Sequence, residues 1–144
     1  MPKLVIESGW SESWTRLMDD MNLWLVGGAG TLEGVLLLKW QKLSESNRVR
    51  GSAELYSLDS QGIPGLRQEA VYEPLDLNQH EAEQAQVIFP IPPREKSTAP
   101  VIHLPRQWFF RGSQYSTSGT LPLEIGLLRS RATDALGFMG LVPA

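Results

Sequence analysis

From residue 14 the apolar positions recur at intervals of three and four: Trp14, Leu17, Met18, Met21, Trp24 and Leu25. That spacing gathers them on one stripe of a 3.6-residue helix, with Asp19, Asp20 and Asn22 on the opposite, wet face. Ser11 or Ser13 can cap the first turn by accepting backbone N–H bonds. The run Gly27, Gly28, Ala29, Gly30 supplies residues able to take the left-handed conformation at which helices end. The pattern predicts one amphipathic helix over residues 12–26.

On either side of it the period changes to two. Leu4 to Ile6 is a short β-prone run interrupted by Glu7, Ser8 and Gly9. Gly34 to Leu43 reads as a strand. Its residues Val35 to Leu38 are apolar without alternation, so both faces are expected to be covered there. The alternation then sets Leu36, Leu38 and Trp40 on one face and Leu37, Lys39 and Gln41 on the other. Ser44 to Asn47 is a turn, and Arg48 to Leu58 returns as the second strand of an antiparallel hairpin. On that strand Arg50, Ser52, Glu54 and Tyr56 share one face, and Val49, Gly51, Ala53 and Leu55 the other.

Beyond Asp59 the signals weaken. SQGIPG is a turn, Glu69–Tyr72 and Gln86–Ile91 are candidate strands, and polar Asn78–Gln84 is a loop or one short helix. Five of the ten prolines fall between Pro90 and Pro105, which makes that segment a wrapping arm or an edge rather than a central strand. Gln107–Arg111 and Leu121–Leu128 read as strands, and Ala135–Leu141 carries no assignment. One helix among short strands predicts an α+β fold: a curved, mostly antiparallel or mixed sheet with the helix packed on it, in a single domain of residues 1–144. The apolar residues of the tail exceed what one helix on one sheet would cover, so a homodimer is expected to bury part of them.

Composition narrows the chemistry. The 144 residues carry 13 Lys+Arg against 16 Asp+Glu, a net charge of −3, and nucleic-acid binding calls for the opposite balance. Without cysteine there are no disulfides, thiolate metal sites or Cys nucleophile. His80 and His103 are too far apart in sequence for an HxxH or HExxH site. No apolar run approaches the ~20 residues of a membrane span, and MPKLVIESGW lacks the apolar stretch of a signal peptide. A soluble protein of the cell interior, the cytoplasm by default, is expected.

Three polar residues are candidates for chemistry. Glu7 ends the opening strand beside Ser8-Gly9, where a carboxylate can act as a base or hold a cation, or bond locally to Ser11, Ser13 or the helix N-terminus. Glu54 belongs to the polar row of the second long strand. His103, between Ile102 and Leu104, can move protons near neutral pH or sit in the core with one hydrogen bond. The five tryptophans, Trp10, Trp14, Trp24, Trp40 and Trp108, are the most unusual feature. If the helix packs on the first long strand, Trp14, Trp24 and Trp40 converge as a core cluster or as aromatic pocket walls. Trp10 and Trp108 lie outside periodic elements, a placement that suits a pocket or an interface.

The block PKLVIESGWSES, a helix ending in WL before glycines, then GVLLLKWQKL and a strand with AELYSLD, resembles fungal proteins of the PD-(D/E)XK nuclease-like superfamily. The likeness spans residues 2–59, and VIFPIPP is also similar. It implies a restriction-endonuclease-like core in which an acid on one strand and an E-x-K on the next hold Mg²⁺. Glu7 matches the Glu of the second motif, the lysine position falls on Gly9, and the strand with the first acid would precede Met1. The resemblance therefore implies the family's scaffold with a degenerate catalytic motif.

Together these features predict a cofactor-independent enzyme of cyclase or isomerase type, or a binder, for a hydrophobic small molecule. Trp10, Trp40, Tyr56, Trp108 and Phe110 would line the pocket, with Glu7, Glu54 and His103 as its polar groups and no metal or cofactor. One alternative is a divergent metal-dependent nuclease that takes its missing acid from a dimer partner or from Glu69, Glu73 or Asp76. The other is an interaction module using the Pro90–Pro105 arm.

Overall fold

The hairpin predicted over residues 34–58 forms the centre of an α+β fold. The computed structural model describes residues 2–10, 14–28, 30–67, 86–89, 101–110 and 118–144. In chain order these make β1 (Leu4–Trp10), α1 (Trp14–Gly27), β2 (Gly34–Lys42), β3 (Arg48–Leu58), β4 (Pro64–Leu66) and β5 (Gln86–Phe89). There follow β6 (Val101–Pro105), a 3-10 turn (Arg106–Trp108), β7 (Thr120–Glu124), α2 (Ile125–Phe138) and β8 (Val142–Pro143).

β1 and β2 pair in parallel, from Leu4 opposite Gly34 to Trp10 opposite Trp40. A parallel pair needs a crossover, and α1 supplies it. β3 returns antiparallel to β2, with Val35 opposite Tyr56 and Lys42 opposite Val49. Three short strands then share the outer edge of β3: β8 along Arg48–Val49, β5 along Gly51–Ala53 and β4 along Tyr56–Leu58. Successive cover of this kind satisfies the backbone groups of a long strand that would otherwise be an open edge. β6 and β7 form a separate antiparallel ladder.

The open mixed sheet divides the apolar side chains into two cores. Towards α1, Leu17, Met21 and Leu25 pack on Val35, Leu37 and Tyr56. On the other face, Leu36, Val49, Ala53 and Leu55 meet Ile88 and Phe89, the ladder residues Ile102 and Leu104, Trp108, and Ile125 and Leu136 of α2. Both faces of β2 are thus covered where its apolar run is unbroken.

Several elements differ from expectation. Among the described residues there are two helices, not one. The strand expected over Leu121–Leu128 stops at Glu124, and α2 begins at Ile125 and continues into the unassigned tail as far as Phe138. The physical reason is that α2 is apolar on two opposite sides. Ile125, Leu128, Ala132 and Leu136 face the core, with Arg129 among them, while Leu127 and Phe138 are 62% and 94% exposed. Opposed stripes cancel the one-sided period by which amphipathic helices are recognised. Of the strand expected over Gln107–Arg111, the described residues 107–110 form no strand; the first of them continue the 3-10 turn, which swings Trp108 inward. On α1 the buried stripe is narrower than its spacing suggests, and Trp24 is 44% exposed. Trp10 is the last residue of β1 and so belongs to a periodic element after all. Glu69–Tyr72, Asn78–Gln84 and residues 90–100 of the arm lie outside the described residues; its remainder, Val101–Pro105, is a strand of the two-stranded ladder. Among the described residues no helix is long and apolar enough to cross a membrane.

Two contacts lock the second layer. Arg129 is buried, and its Nε donates a 2.8 Å hydrogen bond to the Ile88 carbonyl, joining α2 to β5. Trp108 lies across Gly34, where an added Cβ would fall 2.4 Å from the indole. Gly34→Ala is therefore expected to destabilise the fold by about 1–3 kcal/mol through overpacking, whereas Gly137→Ala, which meets open space, leaves stability level or slightly higher. Arg129→Ala should cost about 2 kcal/mol, because it strands a buried carbonyl that a charged donor now satisfies. Urea unfolding of the three variants checks both expectations.

Candidate functional site

Alternation along the three central strands decides which side chains share a surface. Val5 of β1, Val35 and Leu37 of β2 and Tyr56 of β3 belong to the core beneath α1. Glu7, Lys39, Ser52 and Glu54, each an even number of residues away, therefore stand on that same face. The pairing arranges them in rows: Glu7, Leu37 and Glu54 make one, and Gly9, Lys39 and Ser52 the next.

Glu7 and Glu54 share a row but not a site. Leu37 stands between them, 1% exposed in the core that α1 covers. Their backbones are about 10 Å apart across two strand spacings, and each carboxylate has its own partner. The Trp24 indole Nε1 donates to Glu7 Oε2 at 3.3 Å. The Tyr56 hydroxyl donates to Glu54 Oε2 at 2.5 Å.

Glu54 is the more perturbed group. Burial raises its pKa from the ordinary 4.5, and the Tyr56 hydrogen bond and the Lys39 charge offset this only in part. Tyr56 is pushed upward in turn, by burial first and then by the bond and charge of Glu54. Lys39 lies 5.0 Å from the centroid of the Trp14 ring, a cation–π distance. A half-buried acid, a phenol, an ammonium and an indole thus form one connected cluster on one flank of α1. Such a set can orient a small polar group and exchange a proton with it.

The other candidates lie elsewhere. Trp40 faces away from α1; its Nε1 donates to Ser8 Oγ at 3.1 Å, and its ring crosses Gly51, where a Cβ would come within 2.6 Å. Trp10 is its neighbour in the pairing register and is 40% exposed. Trp108 shares that far face but sits against Gly34, six residues along β2 from Trp40, or about 20 Å. The Arg67 guanidinium lies 5.4 Å from the Trp108 ring centroid, and that of Arg106 lies 5.5 Å from Phe110. His103 is exposed on the β6–β7 ladder, with Nδ1 3.2 Å from Thr120 Oγ1. Of the eight residues singled out, Glu54 and Tyr56 share a hydrogen bond, and Trp10 and Trp40 are register neighbours. The expected convergence of Trp14, Trp24 and Trp40 does not occur, since Trp40 is on the opposite side of the sheet from α1.

Lys39 is the member of the cluster not singled out beforehand; Trp14, expected beside Trp24 and Trp40, instead has Lys39 over its ring. The alternation of β2 put Lys39 on the Leu37 face, but only the pairing register places it beside Glu54. A nuclease-type Mg²⁺ site needs acids that converge on one ion. Here Leu37 separates the two carboxylates, and among the described residues no three His, Asp or Glu side chains gather to hold an ion. At the motif's lysine position, Gly9, the space is filled by Leu17, whose methyls would lie 2.9 Å from a Cβ. These residues do not fit that metal site. Glu69, Glu73 and Asp76 lie outside the described residues.

No family model matches the chain, and neither the curated proteins nor the solved structures hold a match to it.

The Glu54 shift has a consequence for stability. A carboxyl with its folded pKa above its unfolded value favours the fold fully below the unfolded pKa, and that contribution disappears as pH rises through the folded value. Glu54→Gln, neutral at every pH, is therefore expected to gain stability relative to the wild type as pH rises from about 4 to 8. Paired urea titrations across that range measure the difference; a constant gap would place the Glu54 carboxyl in an unperturbed environment.

Proposed function

We propose that the protein binds a small organic molecule on the α1 side of its sheet and rearranges it by proton transfer, without a cofactor. The observation that carries this reading is the Glu54 carboxyl, half-buried, raised in pKa and held by the Tyr56 hydroxyl with Lys39 nearby. A substrate with a flat apolar part would lie against Trp14 and turn its polar group towards Glu54. Glu54 would give or take the proton, Tyr56 would hold the carboxyl in one orientation, and Lys39 would stabilise developing negative charge. Chemistry of the isomerase or cyclase type, on a hydrophobic metabolite in the cytoplasm, fits these groups. On this reading the likeness to PD-(D/E)XK proteins is one of scaffold and not of reaction.

Native mass spectrometry of the freshly purified chain, followed by a metabolite screen, is the test. The expected result is a bound small organic mass, or a screen ligand, whose occupancy falls at least about tenfold in Glu54→Gln and persists in His103→Ala. Ligand binding that is indifferent to Glu54 and Lys39 would overturn the assignment.

A further inference from the structure

The outward stripe of α2 has a regular composition. Leu127, Arg131, Asp134 and Phe138 follow one another at intervals of four, three and four residues, the spacing of a coiled-coil seam over two heptads. All four are exposed, on the side of the helix opposite the buried Ile125, Arg129 and Leu136. Neither Arg131 nor Asp134 has an ion-pair partner among the described residues.

This stripe is complementary to its own reverse. When a second α2 is laid antiparallel across a two-fold axis between residues 132 and 133, each Leu127 meets Phe138 of the other copy. Each Arg131 then meets Asp134 of the other copy. Antiparallel coiled coils bring a and d positions together in this way, and an isologous interface repeats every contact twice. The two central ion pairs fix register and direction, while the apolar pairs at either end exclude water from them. Parallel alignment would instead oppose Arg131 to Arg131 and Asp134 to Asp134. We propose that α2 is the self-association surface of this protein and that its partner is a second copy of the same chain, packed antiparallel along Leu127, Arg131, Asp134 and Phe138. The seam, from Leu127 to Phe138, is about 17 Å long, at the small end for a stable interface, so the dimer is concentration-dependent.

The test is sedimentation velocity on the full chain and two charge variants. Arg131→Asp carries two acids on the seam and Asp134→Arg two bases, so each opposes like charges when it pairs with itself. The wild type is expected to show a reversible monomer–dimer equilibrium. Each variant alone should dimerise at least about tenfold more weakly, and an equimolar mixture of the two should associate, because every seam pair is then of opposite sign. Leu127→Ser should weaken the dimer without any change of charge. Far-UV circular dichroism checks that the variants are folded, as substitutions at exposed positions should leave them. A wild type that stays monomeric at every concentration, as it would if another stretch of the chain covered the stripe, overturns the proposal. So does a dimer indifferent to the single variants, or a mixture that fails to associate.

Discussion

The structure depends on a strand whose first half has no wet face. Val35, Leu36 and Leu37 of β2 are buried on both sides of the sheet, so one covering layer could not suffice. The parallel crossover from β1 supplies the first layer, because α1 must lie on one face of the sheet to connect the two strands. The second layer has no such topological guarantee. It is assembled from α2, β5, Trp108 and the β6–β7 ladder, which arrive later in the chain and are held by tertiary contacts. This difference fits the wholly apolar buried side of α1, Leu17, Met21 and Leu25, whereas α2 tolerates an arginine, Arg129, on its inner side.

The tryptophans follow from the same demand. A large indole fits against a sheet where a strand residue has no side chain. Trp40 crosses Gly51 and Trp108 crosses Gly34. Each glycine is a site of close approach, and each ring is fixed by it. Trp14 and Trp24 behave differently, since they flank α1 and contact a charged group each, Lys39 and Glu7. The far-face rings are thus seated on glycines, while those of α1 reach charged groups of the sheet.

What was legible in the sequence is what local periodicity encodes. The stripe of α1, the two-faced run of β2 and the alternation of β3 were all readable, because each involves neighbours within a few residues. α2 was hidden by its two opposed stripes, and the inward turn of Trp108 by a β-prone composition that tertiary packing overrode. The Glu54–Tyr56 pair was legible as an i, i+2 relation on one strand face. Lys39 was not legible as a member, nor was its contact with Trp14, since their approach depends on the β2–β3 register and on where α1 crosses the sheet. A shift of one residue in that register would have turned Lys39 away from Glu54. His103 shows the converse limit: its apolar neighbours suggested a core, yet strict alternation in a two-stranded ladder exposes it.

The sheet also separates two kinds of surface. The polar cluster of Glu54, Tyr56, Lys39 and Trp14 lies on the α1 side, and α2 packs against the opposite face through Ile125 and Leu136. The sheet itself, one sheet-to-helix layer of about 10 Å and the body of α2 separate the outer stripe of α2 from Glu54. That span exceeds the screening length of physiological salt, about 8 Å, so a charge change on the outer stripe of α2 has little direct influence on the Glu54 carboxyl. Any coupling between assembly and the cluster would have to pass through the packing of β2 itself. Because the side chains of β2 fill both cores, they transmit a displacement of the second layer to Leu37, the residue that sits beside Glu54.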